Sequence, residues 1–164
     1  MVTAPNGTHR ARWDSRTLAG SQRFAGLRHD VLVELIIPRA EVTIAEVARV
    51  KRGWRSDWRG ALEEPAAFWE GDVLAEALGL IDQLPESELM RCFSPGFGMR
   101  LHDESTARLE ILFCFHCHIA LMIDLVAPGR GQVGATFDPD SDPARELLSR
   151  FRRCAPGVGE RDQS

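Results

Sequence analysis

Tyrosine is absent from the 164 residues, and lysine occurs once, at Lys51. Both are what a GC-rich coding sequence would produce and carry no mechanistic weight. Long hydrophobic runs are missing too. The longest, residues 111–123 (ILFCFHCHIALMI), contains His116 and His118 and falls short of the roughly 20 residues a membrane span requires. That excludes a transmembrane helix, and so membrane is not an expected partner. The first 20 residues carry charge early but no continuous apolar core, so they do not read as a signal peptide. The expected location is therefore the cytoplasm, where the four cysteines, Cys92, Cys114, Cys117 and Cys154, should be thiols without a disulfide framework. An excess of positive charge is also lacking: 20 Lys+Arg against 24 Asp+Glu leave a formal charge of -4, with no general attraction to nucleic acid or anionic lipid. Residues 1–60 hold 11 Lys+Arg and 6 Asp+Glu, and the remainder 9 and 18. The mildly basic N-terminal part reads as a solvated surface and a tail in preference to a nucleic-acid patch, since no nucleic-acid motif accompanies it.

What is present is an ordinary globular composition, 44% hydrophobic and 27% charged. A chain of this length buries roughly 70% of its unfolded surface and needs no staples. The expected organisation is a flexible tail over residues 1–26, a single domain over 27–157 and a C-terminal tail over 158–164. Residues 30–38 (DVLVELIIP) are β-branched and end at a proline, which predicts a first strand. Residues 41–52 fit two periods. Val42, Ile44 and Val50 alternate, while Thr43 and Glu46 match a capping box and Ile44, Val47 and Val50 share a helical face.

Residues 53–71 carry Trp54, Trp58 and Trp69 around Pro65, and are expected to form a loop-rich connection. Clustered tryptophans either line a ligand groove or cover a thin core. Asp72 can cap a helix through residue 83, with Leu74, Ala77, Leu78 and Ile81 at core spacing. Residues 89–102 and 107–126 are expected as two long strands joined by the polar turn 103–106, and residues 133–137 as a short strand. If Asp103 pairs with Thr106, Cys92 falls opposite Cys117 and Phe93 opposite His116, unless a bulge at 94–96 shifts the register. Ser141 or Asp142 can cap a last helix with Pro143 in its first turn and Leu147, Leu148, Phe151 and Cys154 on its apolar side. The fold class is α+β: an antiparallel sheet of about four to five strands with two helices packed on one face.

One constellation can carry chemistry, Cys114-Phe115-His116-Cys117-His118. In a regular strand Cys114 and Cys117 point to opposite sides and cannot share a metal or a disulfide without a bulge. Alternation groups Cys114, His116 and His118 instead, a set of one thiolate and two imidazoles suited to zinc or copper if a neighbour such as Cys92 joins. The plainer reading is that cysteines in an apolar strand pack as small hydrophobes. A third reading is a reactive thiol. No hydrolase elbow, paired-carboxylate site or dinucleotide fingerprint is present.

Cys92-Phe93-Ser94-Pro95-Gly96-Phe97-Gly98-Met99-Arg100, followed by Phe113-Cys114-Phe115-His116-Cys117, resembles a family of small uncharacterised bacterial proteins. Their motifs run CFxPRHGxR and then ICFxC. Gly53-Trp54 before the middle helix and a turn at 141–143 before the last helix are similar as well. The resemblance covers residues 30–156, transfers no activity, and implies that the segment before Gly53-Trp54 is extended. Gly96 and Phe97 stand where that family has arginine and histidine. The expected function is a small cytosolic binding or accessory protein without evident catalytic machinery, with a protein as partner. Trp54, Trp58 and Arg100 are its candidate binding residues. The alternatives are a zinc or copper protein using Cys92, Cys114 and Cys117 with His116 or His118, a thiol redox protein, and an inhibitor or immunity-type partner.

Overall fold

Strands form where small and branched apolar residues alternate or run together, and helices where they recur every three to four positions. A computed structural model describes residues 12–13, 41–55, 57–88, 90, 92–126 and 132–155. In chain order the elements are β1 (Arg12–Trp13), β2 (Ile44–Arg49), β3 (Ala67–Glu70), α1 (Gly71–Asp82), β4 (Phe97–His102), β5 (Ala107–Cys114), β6 (Ile119–Asp124), β7 (Gln132–Thr136) and α2 (Asp142–Cys154). All strand pairs are antiparallel, in the order β1-β7-β6-β5-β4-β2-β3. Among the described residues no helix is long and apolar enough to cross a membrane.

The α+β class holds, but among the described residues the sheet is larger than four to five strands: six of four residues or more, with the two-residue β1 at one edge. Two segments account for the difference. Residues 107–126, expected as one strand, fold back on themselves as β5 and β6. Residues 67–70, expected within a loop, pair with β2 through Ala45↔Trp69 and Glu46↔Phe68. The predicted strand at 30–38 and the C-terminal tail lie outside the described residues, as does the N-terminal tail apart from Arg12 and Trp13.

Residues 41–52 resolve as strand because both of their faces are used. Ala45 and Val47 join the core under the helices, and Ala48 joins a second cluster on the opposite side. That first core combines Phe97, Met99, Leu101, Leu109, Ile111 and Phe113 with Leu74, Ala77, Leu78 and Ile81 of α1 and Ala144, Leu147 and Phe151 of α2. Both helices thus pack on one face. Phe151 anchors α2, its ring stacked 5.4 Å from Phe97 and 5.5 Å from Trp69. The α2 N-cap is Ser141, as expected, but its hydroxyl donates to the Asp138 carbonyl at 2.7 Å instead of capping the helix. Helix α1 starts one residue before the expected cap. Glu70 ends β3 in extended backbone and Gly71 follows at φ 57°, a left-handed turn that glycine makes without steric cost.

The second face carries Leu112, Cys114, Ile119, Leu121 and Ile123, and residues 50–62 cover it with Val50, Trp58, Ala61 and Leu62. The cover is tied down by the Val50↔Leu62 bridge and by Lys51 N–H donating to the Ala61 carbonyl at 2.8 Å. Gly98 lies directly beneath it. A Cβ there would stand 2.5 Å from Leu62 Cδ2 and 2.9 Å from the Ile111 carbonyl oxygen. Gly98→Ala is accordingly expected to lose about 1–3 kcal/mol of stability. A urea denaturation midpoint equal to that of the parent chain would show that the cover is not pressed onto β4.

Candidate functional site

The expectation that residues 111–123 run extended is overturned. Strand β5 ends at Cys114, residues 115–118 form a turn, and β6 begins at Ile119, with Cys114↔Ile119 and Leu112↔Leu121 paired across the hairpin. The apolar run is long enough for folding back to bury both arms, while its turn holds none of the glycine, proline or asparagine that marks a bend in sequence. His118 takes the left-handed backbone the turn requires, at φ 62°, a region where histidine is enriched over most non-glycine residues.

The turn breaks the strand alternation, so the two cysteines are no longer held on opposite sides. Cys114 and Cys117 both belong to the second core, and the Cys117 backbone N–H donates to Cys114 Sγ at 3.1 Å. Cys117 is joined in a disulfide to Cys92, with Cα atoms 5.7 Å apart. Four free thiols were expected, but the free cysteines are Cys114 and Cys154 alone. The expected juxtaposition of Cys92 and Cys117 is realised, though not as a strand pair. Strand β4 starts only at Phe97, and the register shift lies between Leu101 and His102 instead of at 94–96.

Around these sulfurs, Cys92 is exposed and Cys117 fully buried. Cys114 is 1% exposed, and its thiol donates to the Ser94 carbonyl at 3.3 Å. Burial pushes the Cys114 thiol above the usual range, and the backbone bond from Cys117 opposes this only in part. His116 is exposed. His118 is half-buried, with Nδ1 3.0 Å from Ser87 Oγ, and its carbonyl accepts from Phe137 N–H at 2.9 Å. The predicted set Cys92, Cys114, Cys117, His116 and His118 therefore shares one neighbourhood but not one coordination sphere. Two of its sulfurs are bonded to each other and one imidazole faces a serine. Among the described residues no group of three or more His, Cys, Asp or Glu is placed to hold a metal ion such as zinc or copper.

The candidate binding residues part ways. Trp54 is 74% exposed, but Trp58 is 2% exposed and belongs to the core cover, its ring edge-on to Phe93 at 5.1 Å. Arg100 is not a free cation. It sits mid-row across three strands, Glu46↔Arg100↔Glu110. Its guanidinium donates to Glu46 Oε2 at 2.9 Å and to Glu110 Oε2 at 2.8 Å. Glu110 is 1% exposed and also accepts from Gly60 N–H at 3.2 Å, so the arginine is the counter-charge of a buried carboxylate. His102 Nε2 lies 3.1 Å from Glu46 Oε2. Sequence reasoning missed Glu46, His102 and Glu110 because cross-strand partners become visible only once register is known.

Compared with protein-family models, with curated proteins and with solved structures, the chain matches none.

Two expectations follow. Trp58→Ala should cost about 3–5 kcal/mol, whereas Trp54→Ala should stay within about 0.5 kcal/mol; thermal denaturation of the pair checks both, and equal melting temperatures would refute the contrast. Burial raises the Glu46 pKa, but the bonds from His102 and Arg100 outweigh it and leave the carboxyl below its ordinary 4.5. A folded value below the unfolded one stabilises the fold above that pH, and the contribution disappears as pH falls through the folded value. The stability gap between the parent chain and Glu46→Gln should therefore close as acid denaturation is followed from pH 7 to below 4.5. A gap that stays constant over that window would contradict the assignment.

Proposed function

We propose that the protein is a small binding or accessory module, without evident catalytic machinery, whose presented surface is set by the oxidation state of the Cys92–Cys117 pair. One observation carries the reading: the disulfide ties an exposed residue of the coil between α1 and β4 to a fully buried residue of the β5–β6 turn. The coil has other ties, including Asp138 N–H to the Pro85 carbonyl at 2.9 Å and Gly96 N–H to the Phe113 carbonyl at 3.1 Å. Those bonds hold its two ends. Between them, Ser87 bonds to His118 and Thr136, the Ser94 carbonyl accepts from the Cys114 thiol, Phe93 lies against Trp58, and the disulfide is the covalent tie.

Closing a loop of 25 residues with a covalent bond is worth about 3.5 kcal/mol in the chain-entropy account. Opening it needs a dithiol or a phosphine as reductant, which is oxidised as the two protein thiols form. In a reducing cytoplasm the pair would be open at rest and would close under oxidising stress. The resemblance to the small bacterial family supports a shared role for Cys92, Cys114 and Cys117, since all three match its motifs. A partner protein, an inhibitor's target included, would read the ordered or the released coil. Exposed Trp54 and Phe68 stand available as further contacts.

Hydrogen exchange on the full chain, oxidised and then reduced with a phosphine, tests the reading. Peptides spanning residues 84–96 and 115–118 should exchange about tenfold faster or more after reduction, while α1 and α2 stay unchanged. Cys92→Ser should reproduce the reduced pattern without reductant. Identical exchange in the two states would overturn the proposal.

A further inference from the structure

The third sulfur of the cluster has no part in the clasp as described. Cys114 is a free thiol buried at the end of β5, against the backbone nitrogen of the residue whose sulfur is in the disulfide. A backbone N–H donated to sulfur stabilises the thiolate, the form that attacks a disulfide. Cys114 ends β5 and Cys117 is the third residue of the turn that follows, so the Cys117 backbone nitrogen 3.1 Å from Cys114 Sγ brings the two residues together at one end of the hairpin.

We propose that Cys114 is an internal exchange thiol that moves the disulfide from Cys92–Cys117 to Cys114–Cys117 and so delivers Cys92 to solvent as a reactive thiol. This rests on the presence of the Cys92–Cys117 bond argued above. Cys114 loses its proton to solvent and its thiolate attacks Cys117 Sγ. The Cys114–Cys117 bond forms as the Cys92–Cys117 bond breaks. The electron pair leaves on the Cys92 sulfur, which takes a proton from water. One disulfide and one thiol are present before and after, so no oxidant or reductant is consumed. The released Cys92 lies exposed on the coil, where it is a modification site for low-molecular-weight disulfides such as oxidised glutathione or for a partner's disulfide. Burial of Cys114 keeps this exchange slow at neutral pH and faster in alkali.

Native alkylation with a maleimide, followed by acid quenching and non-reducing peptide mapping, tests the exchange on the full chain. Arginines at 91, 100, 108 and 130 place Cys92 in one tryptic peptide and Cys114 with Cys117 in another, so the two disulfide isomers differ as a linked pair against an internally closed peptide. A sample quenched before labelling should show the linked pair, and its absence would sink the clasp reading itself. With time, label should accumulate on Cys92 while the 109–130 peptide becomes internally closed. The rate should rise about tenfold per pH unit below the Cys114 pKa. Cys114→Ser should abolish labelling of Cys92. Label on Cys114 with the linked pair intact, or equal labelling of Cys92 in Cys114→Ser, would overturn the exchange and leave the clasp standing. Should Cys114→Ser not fold, Cys92→Ser treated with oxidised glutathione decides: closure of Cys114–Cys117 supports the exchange, and a lasting mixed disulfide on Cys117 overturns it.

Discussion

Burial of the β5–β6 hairpin on both of its faces is the constraint from which the rest follows. From Leu109 to Cys114 and from Ile119 to Asp124 every residue is buried. With helices against one side and residues 50–62 against the other, no water reaches the middle of these strands. Every polar group there must find its partner inside the protein. Glu110 is the sharpest case, and its needs explain why Arg100 faces it from β4 and why the Gly60 amide turns toward it. The same burial makes the second face depend on a cover, and it leaves the hairpin's turn as the place where the cysteines can meet a solvent-exposed segment.

Much of this organisation was legible where apolar period and punctuation agreed. Leu74, Ala77, Leu78 and Ile81 gave away α1, and Pro143 with Leu147 and Phe151 gave away α2. The turn at 103–106 was visible because Asp103 is a residue that builds turns: its carboxylate accepts from the Ser105 and Thr106 amides, each at 2.8 Å. The turn at 115–118 was hidden for the opposite reason. Its residues are aromatic, imidazole and thiol, and the run on either side is apolar without interruption. Only the need of each arm for a buried neighbour bends the chain there, and that need is tertiary. Strand β3 was hidden similarly, since Ala67, Phe68 and Trp69 become a strand by lying beside β2.

The candidate site divides along the same line. The nearness of Cys92 to Cys117 could be anticipated from a hairpin count, yet their bond and the approach of Cys114 depend on a turn that the count did not contain. Trp54 and Trp58 are chemically alike in the sequence and opposite in the fold, because only Trp58 lies over Phe93 and the second core. Arg100 looked like a binding group as the last letter of a motif. Its two carboxylate partners stand 54 and 10 residues away, and only the sheet brings them together.

The junction between β3 and α1 leaves the chain no slack. Glu70 is the last residue of one element and Gly71 the first of the next. Among the described residues β3 is the outermost strand on that border, and it cannot peel from β2 without levering the helix off its seat, so its detachment is charged against the whole hydrophobic interior. A short border strand would otherwise fray or recruit a foreign strand. Rigid attachment to a core helix holds it in place, and it makes the Glu70–Gly71 step a place where even one inserted residue should be felt throughout the domain.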